Sequence, residues 1–183
     1  MLIEKCNLSD VIVLEPNIFQ DNRGFFSEVY NKQILHNVGI ETNFVQDNHS
    51  MSKLTGTFRG FHFQLPPYEQ AKLVRVIRGS ILDVVIDIRT NSSTFGDHYS
   101  VLLSSENRKQ IFVPSGFAHG FLTLDDNTEV LYKTSNYYTP DSEGGINYND
   151  RKLKISWPIN EKKFILTQRD KSWPDLSELE KIF

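Results

Sequence analysis

The sequence predicts an all-β fold: an antiparallel jelly roll, a β-sandwich or barrel, with short peripheral helices. Short segments in which aromatic and β-branched residues alternate with polar ones recur between clusters of Gly, Pro, Asn and Asp, the pattern of a sheet protein with frequent turns. The long helical segments that a parallel sheet needs for its crossovers are missing. No internal repeat, low-complexity tract or linker divides the chain, so residues 1–183 read as a single domain. A chain of that length buries about 70% of its unfolded surface around one core.

The elements follow in order. VIVL (11–14), GFFSEVY (24–30) and NFVQDNHS (43–50) read as the first strands, with a weak helical pattern, NKQILHNVG (31–39), between the last two. FRGFHFQ (58–64) reads as a buried strand. AKLVRVIRGSILDVVIDIR (71–89) reads as two strands joined as a hairpin by Arg78-Gly79-Ser80, and period two puts Leu82, Val84, Ile86 and Ile88 on one face. HYSVLL (98–103), QIFVPSGFAHGFLTL (110–124) and TEVLYKTSNYY (128–138) complete the strands. Asp175 and Glu178 have the spacing of a capping box and predict a terminal helix over LSELEKIF.

The formal net charge of −3 and the absence of any lysine or arginine run leave no electrostatic footprint for nucleic acid. A small anion needs only a local cluster. The single Cys6 excludes an intramolecular disulfide framework and an all-cysteine zinc site, and it suits a reducing, cytoplasmic setting. Glu4 and Lys5 break the first apolar residues, so no signal peptide is expected, and no apolar run of about 18 residues predicts a membrane span.

Histidine, lysine and arginine inside FRGFHFQ and the strand after it demand a reason, because an unpaired polar group taken out of water costs several kcal/mol. Of the five histidines, His36 and His98 have ordinary surroundings, whereas His62 and His119 sit among strand aromatics beside glycine, where backbone or ligand can approach closely. The segment PSGFAH resembles the Pro-x-Gly-x-x-His element of metal-binding cupins. Their His-x-His pair is here His62-Phe63-Gln64, and a neutral amide is a poor ligand for transition metals, which disfavours a metal site. Without a metal, His62 could act as a base near neutral pH, Tyr132 as an acid, and Lys72 with Arg59 could hold an anion or a developing oxyanion. Period two puts Phe58, Gly60, His62 and Gln64 on one face and Arg59 on the other unless a bulge intervenes.

The sequence resembles the dTDP-4-dehydrorhamnose 3,5-epimerases, cupin-fold enzymes of nucleotide-sugar metabolism. The resemblance runs in order through DNRGFFSEVYN, FVQDNHS, FRGFHFQLPPYEQAKLVRVIRGSILDVVIDIR, FVPSGFAHGF, EVLYKTSNYYTPDSEGGI and RDKSWPDL. It implies a cupin-type jelly roll, no metal or redox cofactor, and a nucleotide-diphosphate-linked 4-keto sugar as substrate, in a pathway of activated sugars for surface polysaccharide. In such a sugar the C–H bonds at C3 and C5 both adjoin the carbonyl, so a base can remove either proton to give an enolate and an acid can return it to the opposite face. The resemblance makes His62 the base, Asp170 the carboxylate that orients it, Tyr132 the acid and Lys72 the group that stabilises the enolate oxygen. It assigns substrate and nucleotide contacts to Arg23, Phe26, Glu28, Gln46, Asn48, Arg59, His119, Glu143 and Arg169, with Tyr138 stacking on the base. It also implies a homodimer with shared active sites, in which the N-terminal strand bearing Arg23 and Glu28 crosses to the partner.

Asn136, Ser142 and Gly144 depart from the acidic, histidine and arginine residues more frequent in that family, which leaves the nucleotide and the far end of the sugar open: dTDP with a 6-deoxyhexose, or a related sugar such as a GDP-linked heptose. The alternatives are a C3-only epimerase, a 3,4-ketoisomerase, a metal-dependent cupin, and a cupin that binds the sugar without turning it over.

Overall fold

The computed structural model describes residues 1–179 and 183. The strands are β1 (Leu2–Lys5), β2 (Ile12–Glu15), β3 (Phe19–Asp21), β4 (Gly24–Phe26), β5 (Gln46–Ser52), β6 (Phe58–Gln64), β7 (Lys72–Arg78), β8 (Ser80–Asp87), β9 (His98–Ser104), β10 (Gln110–Val113), β11 (Phe117–Thr123), β12 (Thr128–Thr134) and β13 (Glu143–Gly145). Six form one sheet in the order β1-β2-β10-β7-β12-β5, and five form a second in the order β13-β6-β11-β8-β9. Every strand pairing in both sheets is antiparallel. Strands β3 and β4 make a separate hairpin. The fold is the expected all-β jelly roll of the cupin type.

The hairpin expected at Arg78-Gly79-Ser80 does not form. Strands β7 and β8 are not a hairpin: β7 pairs with β10 and β12, whereas β8 pairs with β11 and β9. The chain passes from one sheet to the other at Gly79, whose φ is +74°, and a Cβ there would lie 2.5 Å from Thr128 Oγ1. The same three residues that would make a tight turn instead make a corner, because each strand carries apolar residues on both faces and is covered on both sides only as a central strand of its own sheet.

Three apolar clusters account for those faces. Val13, Val74, Val76, Ile81, Val85, Ile111, Phe117, Phe121 and Val130 meet between the sheets. Phe58, Phe61, Phe63, Val84, Ile86 and Ile88 turn outward from the five-stranded sheet and are covered by Leu153, Trp157 and Phe164 of the C-terminal segment. Leu14, Leu73 and Phe112 turn outward from the six-stranded sheet against Leu35 and Ile40. The last two belong to helix α1 (Lys32–Asn37) and the residues after it. The helix starts because Asn31 accepts hydrogen bonds from the amides of Gln33 and Ile34. It is shorter than the pattern over 31–39.

The predicted terminal helix is a single 3-10 turn, Leu176–Glu178, with its capping box formed by Asp175 and Glu178. The rest of that expectation, over 180–182, lies outside the described residues. Among the described residues no helix is long and apolar enough to cross a membrane.

Candidate active site

The inward-facing residues change character along the sheets. At one end they are the valines, leucines and phenylalanines of the first cluster. At the other, the same parity presents Gln46, Asn48 and Ser50 of β5, Lys72 of β7, Tyr132 and Thr134 of β12, His119 of β11, and His62 and Gln64 of β6, which line a cavity of about 410 Å³. That volume suits a small-molecule ligand.

Strand β6 reaches this arrangement through a bulge. His119 is opposite His62, but Phe121 is opposite Arg59, so two steps on β11 span three on β6. The extra residue puts Arg59 and His62 on the same face, and both line the cavity. Phe58 does not share that face, contrary to the period-two count, and packs with Phe61 in the outer cluster. Gly60 makes the bulge possible. Its φ is +135° and a Cβ there would lie 2.4 Å from Gly120 Cα, so the two backbones approach with no room for a side chain.

His62 Nε2 lies 2.7 Å from Asp170 Oδ1. Asp170 is 2% exposed, and its second oxygen accepts from Thr167 Oγ1 at 2.7 Å. Burial pushes this carboxyl up, but the hydrogen bonds from His62 and Thr167 outweigh it and hold it below the ordinary value. An ionised Asp170 fixes the imidazole with its proton on Nε2 and leaves the Nδ1 lone pair as the basic site. Trp173 closes the outer side: its ring meets that of His62 edge-on at 6.2 Å. The indole lies against Gly145, where a Cβ would be 2.5 Å from it, and Gly145 is the residue opposite His62 on β13.

Tyr132 comes from the facing sheet. Burial raises its pKa, Arg59 opposes that rise and Glu143 adds to it, so the phenol keeps its proton at neutral pH. Lys72 Nζ donates to the His62 carbonyl at 3.3 Å. Burial lowers its pKa to about 8 despite the negative charges of Asp83 and Glu143. At the rim, Arg169 Nη1 bonds Glu143 Oε2 at 2.6 Å, and the Tyr138 hydroxyl donates to the same oxygen at 3.2 Å. Arg59 is held by Ser52 Oγ, and Gln46 donates to Asn48.

Thus His62, Asp170, Tyr132, Lys72, Gln46, Asn48, Arg59, His119, Tyr138, Glu143 and Arg169 line one cavity. Arg23, Phe26 and Glu28 do not. The Arg23 side chain is 86% exposed and pairs with Asp21, Phe26 is 68% exposed, and Glu28 accepts from Asn31.

Sequence reasoning missed Asp83, whose two oxygens lie 3.0 and 2.9 Å from His119 Nε2. It is fully buried, and the signal was present: within ILDVVIDIR an acid stands on the face opposite Leu82, Val84 and Ile86. It also missed Thr167, and Ser50, whose buried hydroxyl lines the cavity with no partner among the described residues. Neither has a sequence signal beyond its parity or its proximity to Asp170.

A jelly roll in which a part-buried imidazole paired with a buried carboxylate lines one cavity with a phenol holds the groups that a proton-transferring epimerase needs. The family model described as dTDP-4-dehydrorhamnose 3,5-epimerase matches residues 5–178. The chain is 49% identical over 162 residues to the dTDP-4-dehydrorhamnose 3,5-epimerase of Salmonella typhimurium, covering 88% of each chain. The crystal structure of the Bacillus anthracis enzyme with TDP and PPi bound superposes with a TM-score of 0.92 at 44% identity, covering 95% of this chain and 98% of that one. The Legionella pneumophila enzyme, solved with dTDP-4-keto-L-rhamnose, superposes with a TM-score of 0.92 at 40% identity over 98% of this chain and 94% of its own. The chain belongs to the dTDP-4-dehydrorhamnose 3,5-epimerase family and is an isomerase.

Proposed function

We propose that this protein inverts C3 and C5 of a dTDP-linked 4-keto-6-deoxy sugar without a metal or redox cofactor, as a homodimer with shared sites. The observation that carries the reading is the 2.7 Å contact between His62 on one sheet and Asp170 of the C-terminal segment, both lining the same cavity as Tyr132 on the other sheet. The base on one face removes a proton from C3 or C5, the electron pair moves to the C4 oxygen as an enolate, and the phenol returns a proton to the opposite face. Lys72, in the same cavity, stabilises the negative oxygen. Arg59 and Arg169 suit the diphosphate, since a guanidinium can donate two parallel hydrogen bonds. Tyr138 at the rim stacks on the base.

The nucleotide follows the relatives, which are solved with TDP and with a dTDP sugar. A partner subunit supplies Arg23, Phe26 and Glu28, whose own chain leaves them exposed and away from the cavity. NMR of dTDP-4-keto-6-deoxyglucose incubated with the protein in deuterated water tests the reading: label at C3 and C5 with both centres inverted is expected. Label at C3 alone, or a carbonyl moved to C3, would replace it with one of the alternatives.

A further inference from the structure

Gln64 lines the cavity yet spends its amide on the protein. Its side chain is 4% exposed. Its Nε2 donates to the carbonyls of Tyr68 and, at 3.1 Å, Tyr137, and its Oε1 accepts from the Thr139 amide at 2.7 Å. Three of the four hydrogen bonds a primary amide can make are thus committed, and they join two separate loops. The residues between the two anchors on the second loop reduce to Tyr138. Gln64 is also the residue opposite Glu143 on β13, the carboxylate that holds Tyr138 and Arg169. The two loops touch again farther out, where Gln70 Nε2 donates to the Asn136 carbonyl at 2.7 Å.

We infer that Gln64 is a positioning residue that clamps loop 65–70 to loop 136–139 and so fixes Tyr138 and Glu143 at the mouth of the cavity. This rests on the proposed nucleotide site, because Tyr138 matters to binding only if a base stacks there. In a metal-binding jelly roll the same position presents a ligand to the cavity. Here the amide oxygen is turned to a backbone amide, and the position holds the rim.

Gln64→Met keeps the length of the side chain and removes every hydrogen bond, while Gln64→Glu keeps the acceptor for Thr139 and loses both donors. Amide hydrogen exchange of the free protein reads the clamp without any ligand. Protection at Thr139 and across 136–139 should be lost in Gln64→Met and retained at Thr139 in Gln64→Glu, with β6 and β11 as protected as before. For dTDP and the dTDP sugar, Gln64→Met should raise Kd and KM by about tenfold or more, with kcat at saturation changing much less, the split expected when a binding contact is loosened. Unchanged exchange over 136–139, or kcat and KM falling together with the melting temperature, would overturn the clamp and leave Gln64 as ordinary core. A wild-type protein that binds no dTDP overturns the nucleotide reading instead, since the exchange result stands without it.

Discussion

Tyr132→Phe removes one hydroxyl and keeps the ring that lines the cavity beside Val74 and Thr134. Packing should survive, and so should deprotonation by His62. The variant is expected to wash solvent deuterium into the substrate with retained configuration faster than it forms inverted product, the two rates separating by about 10²-fold or more. Exchange and inversion falling together would remove Tyr132 from the acid role.

Lys72 gives a second test at the same scale. Its pKa is about 8 in the folded chain against 10.5 unperturbed, because burial disfavours the ammonium. Between those values the unfolded chain binds more protons, so stability rises with pH across that window, and the cost is full below pH 8, at roughly 3 kcal/mol or less. Activity runs the other way: if Lys72 stabilises the enolate as proposed, its ammonium is lost as pH rises through 8, and kcat should fall. Lys72→Met is accordingly expected to raise the melting temperature by a few degrees while slowing exchange about 10²-fold or more. A lower melting temperature with exchange intact would show a lysine that serves packing alone.

Among the elements, β6 decides the site. Its bulge brings Arg59 and His62 to one face, and the bulge needs Gly60, with φ +135° and Gly120 in contact. Gly60→Ala should cost about 2 kcal/mol or more, from the disfavoured φ and the displaced backbone together, read as a lower denaturant midpoint with exchange activity lost in the folded fraction. Stability unchanged from wild type would mean that the bulge tolerates a side chain and that its geometry is set elsewhere. Strand β13, only three residues long, contributes by another route: Gly144 and Gly145 admit the rings of Phe63 and Trp173, which seat the strand beside His62.

For the whole molecule, the exposed hairpin β3–β4 carries the prediction. Phe19, Phe25 and Phe26 are exposed on it, and three aromatic residues left to water on so small a hairpin are what a contact with a second copy would cover. Mixing an Arg23→Ala variant with a His62→Ala variant and allowing subunit exchange should restore activity. In a hybrid dimer one of the two sites then holds both intact residues, giving about a quarter of wild-type activity after random reassortment. No recovery despite demonstrated exchange would mean that each chain builds its own site.

The sequence by itself determined the all-β class and most strand positions, because period-two alternation and turn residues are local signals. It also marked His62, Lys72 and Tyr132 as out of place, since a polar side chain at an inward position of a buried strand is visible wherever its neighbours are apolar. Only the tertiary structure decided which strands pair. Arg78-Gly79-Ser80 fits a hairpin and a corner equally well by local chemistry, and the choice follows from apolar faces that must be covered from both sides. Strand parity failed at Arg59 and Phe58 because a bulge lies in the pairing between two strands sixty residues apart in sequence and leaves no mark in either alone. Partners distant in sequence, Asp170 with His62, Asp83 with His119 and Gln64 with Thr139, likewise meet only when the sheets close, because a hydrogen bond is set by distance in space and carries no trace in sequence spacing.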